Sequence, residues 1–322
     1  MNQKTSAKSV SSVDEKKRWV LALAGGLIAG IGLFVYLRYG DTIAYNLRLL
    51  NAKRIADKFY AEYDGISKSI PYGSRAAQKL DVYRPETGSN YPVLIFVHGG
   101  GWDSGNKELY APVAQKLLPE GLVLVVPGYT LYPDATYRQQ TDDVAAAISW
   151  TLENIAQYGG DPKRIIAGGQ SAGGHLTALA VLDAQWLSRY GHTSAELCGY
   201  YGIAGVYDIA AQKADDALKG DTDPIMTAVM EGDSNFANAS PLNFVRPDLP
   251  PVLLIHGDAD ETVDIGISRA FHEKLQSAGA QSQFLVYPGA GHSGLLFDAL
   301  ASNPARLVTD LSEFAHNCPP VK

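Results

Sequence analysis

Short apolar runs, each of strand length and free of internal charge, recur along most of this chain. They are "PVLIFVH" (92–98), "GLVLVVP" (121–127), "RIIAGGQ" (164–170), "LCGYYGIAG" (197–205), "PVLLIHG" (251–257) and "QFLVYPG" (283–289). Before them "KLDVYRP" opens as a strand at Lys79 and is ended by Pro85, which has no N–H for a ladder. Between the runs the spacing turns helical: 107–118, 138–158 with Val144, Ile148, Leu152 and Ile155 on one face, 172–187, 265–278 and 304–316. Strands without polar alternation are buried on both faces. Alternating with helices, they predict an α/β architecture, a mostly parallel sheet between two helical layers. The stretch 207–248 breaks the rhythm and is rich in Asp, Ala and Asn. It reads as a small cap insertion above the carboxyl edge of the sheet, where ligands bind in such folds.

A different pattern stands at the N-terminus. "WVLALAGGLIAGIGLFVYL", residues 19–37, carries no charge, and as a helix it spans roughly 28 Å, close to a bilayer core of about 30 Å. Lys16, Lys17 and Arg18 precede it; Tyr36, Arg38 and Tyr39 border its far end. A cleaved signal would need an earlier small-residue site, and the one present, Ala22 and Ala24, leaves the apolar region too short. The expectation is a polar tail (1–18), a single-pass anchor in membrane lipid (19–37), a helical connector (38–65) and a catalytic body (66–318). The basic cluster on the N-terminal side places the body on the extracytoplasmic side.

Composition narrows the partners. With 27 Lys and Arg against 34 Asp and Glu, the net charge of −7 speaks against nucleic acid. The two cysteines, Cys198 and Cys318, have no metal-site spacing; a disulfide in an oxidising compartment and two buried thiols are both open. No metal or organic cofactor is expected.

The chemistry gathers at the ends of the apolar runs. Gly169-Gln170-Ser171-Ala172-Gly173 is G-x-S-x-G between a strand and a helix, the setting in which a serine is held on a tight, strained turn. A serine needs a base. Of the seven histidines, His292 in "YPGAGHSG" follows the last strand on a glycine-rich loop, whereas His98 and His256 end strands and are expected to satisfy local hydrogen bonds. His175, on the nucleophile's own helix, points elsewhere; His192, His272 and His316 fall in loop or surface helix. A carboxylate must orient the base. Asp260 in "HGDADETV" is favoured, with Glu261 the fallback and Asp258 a turn residue. "HGGGW" (98–102) follows the first long strand. Its Gly100 and Gly101 N–H groups, with that of Ala172, are the expected oxyanion hole. Trp102 either lines the acyl site or packs beneath the loop.

"DVYRP", "HGGGW", "AQYGGDPKRI", "GQSAGGH", "HGDADETV" and "GAGHS", in that order, resemble the α/β-hydrolase superfamily, specifically esterases with an HGGGW-type oxyanion loop. The likeness covers residues 66–316 and implies a serine esterase with the triad Ser171, Asp260 and His292 and a small-molecule ester substrate carrying an apolar moiety. "IAQYGGDPKRI", "GQSAGGH" and "IMTAVMEGDSNFANASPLNFV", with a membrane segment ahead, resemble the membrane-bound prenylcysteine methylesterases; "GAGHSG" is nearer to bacterial carboxylesterases. Two other readings share the residues: an arylformamidase similar to kynurenine formamidase, and a catalytically inactive hydrolase fold serving as a membrane-tethered binding module.

Overall fold

A computed structural model describes residues 50–51, 53–221, 224–296 and 305–321. The expected anchor and tail lie outside these residues. Among the described residues no helix is long and apolar enough to cross a membrane. Of the expected connector, 53–62 is helical, and Arg54–Lys322 forms one compact unit.

Each apolar run is a strand. In chain order the strands among the described residues are β1 (Ile66–Pro71), β2 (Lys79–Tyr83), β3 (Tyr91–Val97), β4 (Val123–Pro127), β5 (Gly160–Gln170), β6 (Gly199–Ile203), β7 (Val252–Gly257) and β8 (Ser282–Tyr287). They form one sheet in the order β1-β2-β4-β3-β5-β6-β7-β8. β2 pairs antiparallel with β1 and β4, and every other pairing is parallel. β1 is the one strand that the apolar pattern does not reveal. Its sequence ISKSIP is polar and half-exposed, and it stands at the sheet edge, paired with β2 alone.

Burial on both faces follows residue by residue. Val93, Ile95 and Val97 of β3 enter one hydrophobic cluster, with Leu176 and Leu179 of the helix Ala172–Leu182 and Phe271 of the helix Ile265–Ser277. Leu94 and Phe96 enter the other, with Val113 of the helix Ala111–Leu117 and Leu311 of the helix Arg306–Asn317. Successive side chains on one strand thus feed opposite layers, so the strand cannot afford a polar position. The stretch 207–248 is a set of short helical pieces, chief among them Ile209–Leu218, Ile225–Val229 and Phe236–Ala239.

The sheet order also places the site. From β3 the chain moves outward to β4, then returns to β5 on β3's other side. The crevice beyond the carboxyl ends of β3 and β5 is the point where the winding reverses, and ligands bind there in open α/β sheets.

Cys198, just before β6, is disulfide-bonded to Cys318, which follows the last helix, with Cα atoms 5.7 Å apart and a sequence separation of 120. The bond ties the C-terminal tail to the sheet. Cys318→Ser is expected to lower the unfolding free energy by about 2–4 kcal/mol. Denaturant titration with and without a reductant checks this: reductant should destabilise the wild type alone, and equal midpoints in both proteins would refute the bond.

Candidate active site

Ser171 stands between the last residue of β5 and the first of the helix Ala172–Leu182, with φ 53° and ψ −123°. A non-glycine residue in such a conformation is strained by about 1–3 kcal/mol and is held only by its surroundings. Here its N–H donates to Ile203 O (2.9 Å), and its carbonyl accepts from His175 N–H (3.0 Å). The flanking glycines are required by a close backbone approach. A Cβ on Gly169 would come within 3.0 Å of the Val97 carbonyl oxygen, and one on Gly173 would clash with the carbonyls of both Val97 and His98. The end of β3 therefore passes directly against the serine turn and carries the following loop with it.

That loop, His98–Trp102, is anchored from both ends. His98 is buried and stacks on Tyr129 (centroids 4.4 Å apart) while its Nδ1–H donates to Gly99 O (2.8 Å). Burial pushes its imidazole down to about 4, against the opposing pull of the Gly99 carbonyl and Glu108. Gly100 has φ 122°, and a Cβ there would strike the Ser104 backbone. At the far end, Trp102 Nε1–H donates to His175 Nδ1 (3.0 Å), so His175 Nε2–H donates to Ala239 O (2.7 Å). Burial lowers the His175 imidazole to about 4, opposed by that carbonyl bond. Gln140 Nε2–H donates to Trp102 O (2.7 Å). Trp102 is 6% exposed, held at its indole N–H by His175 and at its carbonyl by Gln140. The backbone N–H groups of Gly100, Gly101 and Ala172 have no acceptor among the described residues.

The loops after β7 and β8 run together. Asp258 N–H bonds Tyr287 O (3.2 Å), Ala259 N–H bonds Ala290 O (3.2 Å), and the Asp258 carboxylate accepts from Gly289 N–H (2.6 Å). This brings Asp260 to His292. His292 Nδ1–H donates to Asp260 Oδ2 at 2.8 Å. Asp260 Oδ1 accepts from Thr262 and Val263 N–H, both at 2.9 Å. Burial alone would raise the Asp260 carboxyl. Hydrogen bonds from His256 and His292, the charge of His292 and the Val263 N–H outweigh that and hold it far below the usual carboxylate range. Glu261 is exposed, and Asp264 caps the next helix through Gly266 N–H (2.7 Å), so neither reaches the imidazole.

His292 Nε2 faces the Gln170 side-chain amide, 3.2 Å away, one residue before Ser171. The serine hydroxyl and the imidazole make no hydrogen bond in this structure. With Nδ1–H committed to Asp260, Nε2 carries the lone pair and the amide donates to it. Gln170 entered the sequence reading only as the variable residue of the motif, although its place beside the serine was a signal. His256 satisfies local hydrogen bonds as expected, with Ser268 Oγ (2.7 Å) and Val263 O (3.0 Å), and it also contacts Asp260 Oδ2 (3.1 Å). The remaining histidines lie elsewhere: His192 with Glu196, His272 with Ser282, His316 on Glu120 O. Among the described residues no cluster of His, Cys, Asp or Glu has the arrangement to hold a metal.

One family model, several known proteins and several solved structures resemble this chain. The BD-FAE family model matches residues 80–275. Esterase LipQ of Mycobacterium tuberculosis is 34% identical over 282 residues, covering 83% of this chain and 65% of that protein. An isoprenylcysteine alpha-carbonyl methylesterase of Arabidopsis thaliana is 29% identical over 265 residues, covering 78% of this chain and 62% of that protein. The chain thus spans a little under two thirds of these relatives. Among solved structures, a truncated carbohydrate esterase from gut microbiota superposes with a TM-score of 0.64 at 26% identity, over 79% of this chain and 98% of that one.

The depressed Asp260 carboxyl makes a stability prediction. A carboxylate whose folded value lies below its unfolded value near 3.9 stabilises the fold above that pH and loses its contribution as pH falls through the folded value. Asp260→Asn is therefore expected to be less stable than wild type at pH 7 by about 1–3 kcal/mol, the order of unpairing a buried charged acceptor. The gap should narrow below about pH 4. Urea titrations from pH 7 to pH 2.5 check this, and a gap constant across the range would contradict it.

Proposed function

The chain belongs to the BD-FAE family, and from that membership we propose that it hydrolyses carboxylic esters through an acyl-enzyme on Ser171. One observation carries the reading: the part-buried Asp260–His292 pair, 2.8 Å across, is delivered to the residue next to a strained serine turn. In this reading the Gln170 amide yields His292 Nε2 to the serine hydroxyl when substrate enters. Catalytic hydrogen bonds that are long or misdirected without substrate commonly tighten in the complex. His292 then takes the Ser171 proton as Oγ bonds to the ester carbonyl carbon. The developing oxyanion is held by the N–H groups of Gly100, Gly101 and Ala172, the last at the positive end of its helix. Asp260 offsets the imidazolium charge. The imidazolium returns its proton to the departing alkoxide, the alcohol leaves, and water cleaves the acyl-enzyme by the same sequence. The pieces of 207–248 form the cap over the substrate. Ala239 within it fixes His175, which fixes Trp102, so the cap and the oxyanion loop share one anchor.

For the finer substrate, the proposal is a small carboxylic ester with an apolar moiety. Residues 19–37 anchor the chain in membrane lipid as a single pass, with the body outside the cytoplasm. The basic cluster at 16–18 and the Cys198–Cys318 bond, a feature of oxidising compartments, support that side. A prenylcysteine methyl ester is the second reading, favoured by the plant relatives. An exported body would not meet the cytosolic face where such esters are displayed.

Hydrolysis of p-nitrophenyl esters from acetate to octanoate, a prenylcysteine methyl ester and N-formylkynurenine separates these readings. Short acyl esters should turn over fastest, and selective turnover of the methyl ester or the formamide would replace the proposal. Ser171→Ala and His292→Ala should each lower kcat by at least about a thousandfold while remaining folded. Hydrolysis persisting in Ser171→Ala would overturn the mechanism.

A further inference from the structure

Two fully buried polar side chains lie behind the active site and are not used by the mechanism above: His256, next to last in β7, and Ser268, in the helix Ile265–Ser277. They touch each other and, through His256, the carboxylate. His256 Nδ1 is 2.7 Å from Ser268 Oγ, and its Nε2 is 3.0 Å from Val263 O and 3.1 Å from Asp260 Oδ2. The protonation pattern follows from the partners. A carbonyl oxygen and an ionised carboxylate oxygen can only accept, so Nε2 carries the hydrogen. In the neutral ring Nδ1 is then an acceptor, and the Ser268 hydroxyl donates to it. The chain of donors runs one way, from Ser268 to His256 to Asp260.

Asp260 Oδ2 thus receives two imidazole N–H groups, one from His292 and one from His256, while Oδ1 receives two backbone N–H groups. We propose that His256, locked in its Nε2–H tautomer by Ser268, is a positioning residue that fixes Oδ2 of Asp260 and through it the imidazole of His292. This rests on the esterase reading and adds a residue pair to it. The argument is one of directional consistency. If the Ser268 hydroxyl is removed, Nδ1 keeps a buried lone pair without a donor. Should the ring relieve this by moving its hydrogen to Nδ1, the Nε2 lone pair would face two acceptor oxygens, and the ring or the carboxylate would have to turn. Either adjustment shifts the one oxygen that aims His292. Ser268 itself is on the far side of His256 from the carboxylate, so it reaches the chemistry only along this chain.

The test uses the full-length protein with a p-nitrophenyl ester, comparing Ser268→Ala with Ser268→Thr, which keeps the hydroxyl. Wild type is first labelled with a fluorophosphonate. Absence of labelling would sink the esterase reading itself, independently of what Ser268 does. With labelling established, Ser268→Ala should lose about tenfold in kcat and in labelling rate, the effect of one buried hydrogen bond, with KM within about twofold. Ser268→Thr should recover most of the loss. Wild-type kcat in Ser268→Ala, or losses in both variants that simply track their melting temperatures, would overturn the proposal.

Discussion

The geometry of this molecule depends on one contact, the backbone of Val97 and His98 pressed against Gly169 and Gly173. No side chain fits there, since a Cβ on either glycine would overlap a carbonyl oxygen of β3's end. That single approach does two things. It forces Ser171 into its strained conformation at the head of a helix, and it lays the His98–Trp102 loop beside it. A Cβ built on Gly99 would stand 3.2 Å from Ser171 Cβ, which shows how near the loop lies. The unbonded N–H groups and the serine are neighbours because two strand ends are in contact.

The second half of the site is assembled by a different device. The loops after β7 and β8 are joined by backbone bonds and by Asp258, so Asp260 and His292 arrive as a unit. Four donors converge on the Asp260 carboxylate, and together they explain why a buried acid stays ionised so firmly. The unit comes to rest against Gln170, the residue that follows the same close-packed glycine. Each half is held by its own hydrogen bonds and close backbone contacts. The adjustable element is the short span between the imidazole and the serine, which Gln170 occupies.

Much of this could be read from the chain because its physics is local. β3 and β4 are unbroken apolar runs, as burial on both faces favours, and so are β5 from Ile165 to Gly169 and β7 up to His256. The pairing of Asp260 rather than Glu261 with His292 followed from position on the loop, and the exposure of Glu261 has the same cause. β1 escaped notice because an edge strand can be polar and still pair. Gln170 and His256 each make a contact that the sequence does not reveal, for a shared reason. Their importance lies in what approaches them from 122 and 4 residues away, and a residue's own neighbours in sequence do not announce that. The disulfide, open on composition, is decided by the last helix returning Cys318 to the start of β6.

The central claim is that the imidazole leaves Gln170 for Ser171 when the serine reacts. A crystal structure of the protein inhibited by a phosphonate ester tests it most directly. The account predicts phosphorus bonded to Ser171 Oγ, with its phosphoryl oxygen about 2.7–3.1 Å from the N–H groups of Ala172 and of Gly100 or Gly101. His292 Nε2 should be within hydrogen-bond reach of Oγ and the Gln170 amide turned aside. An adduct on any other residue, or an imidazole still held by Gln170 with the oxyanion donors empty, would contradict it.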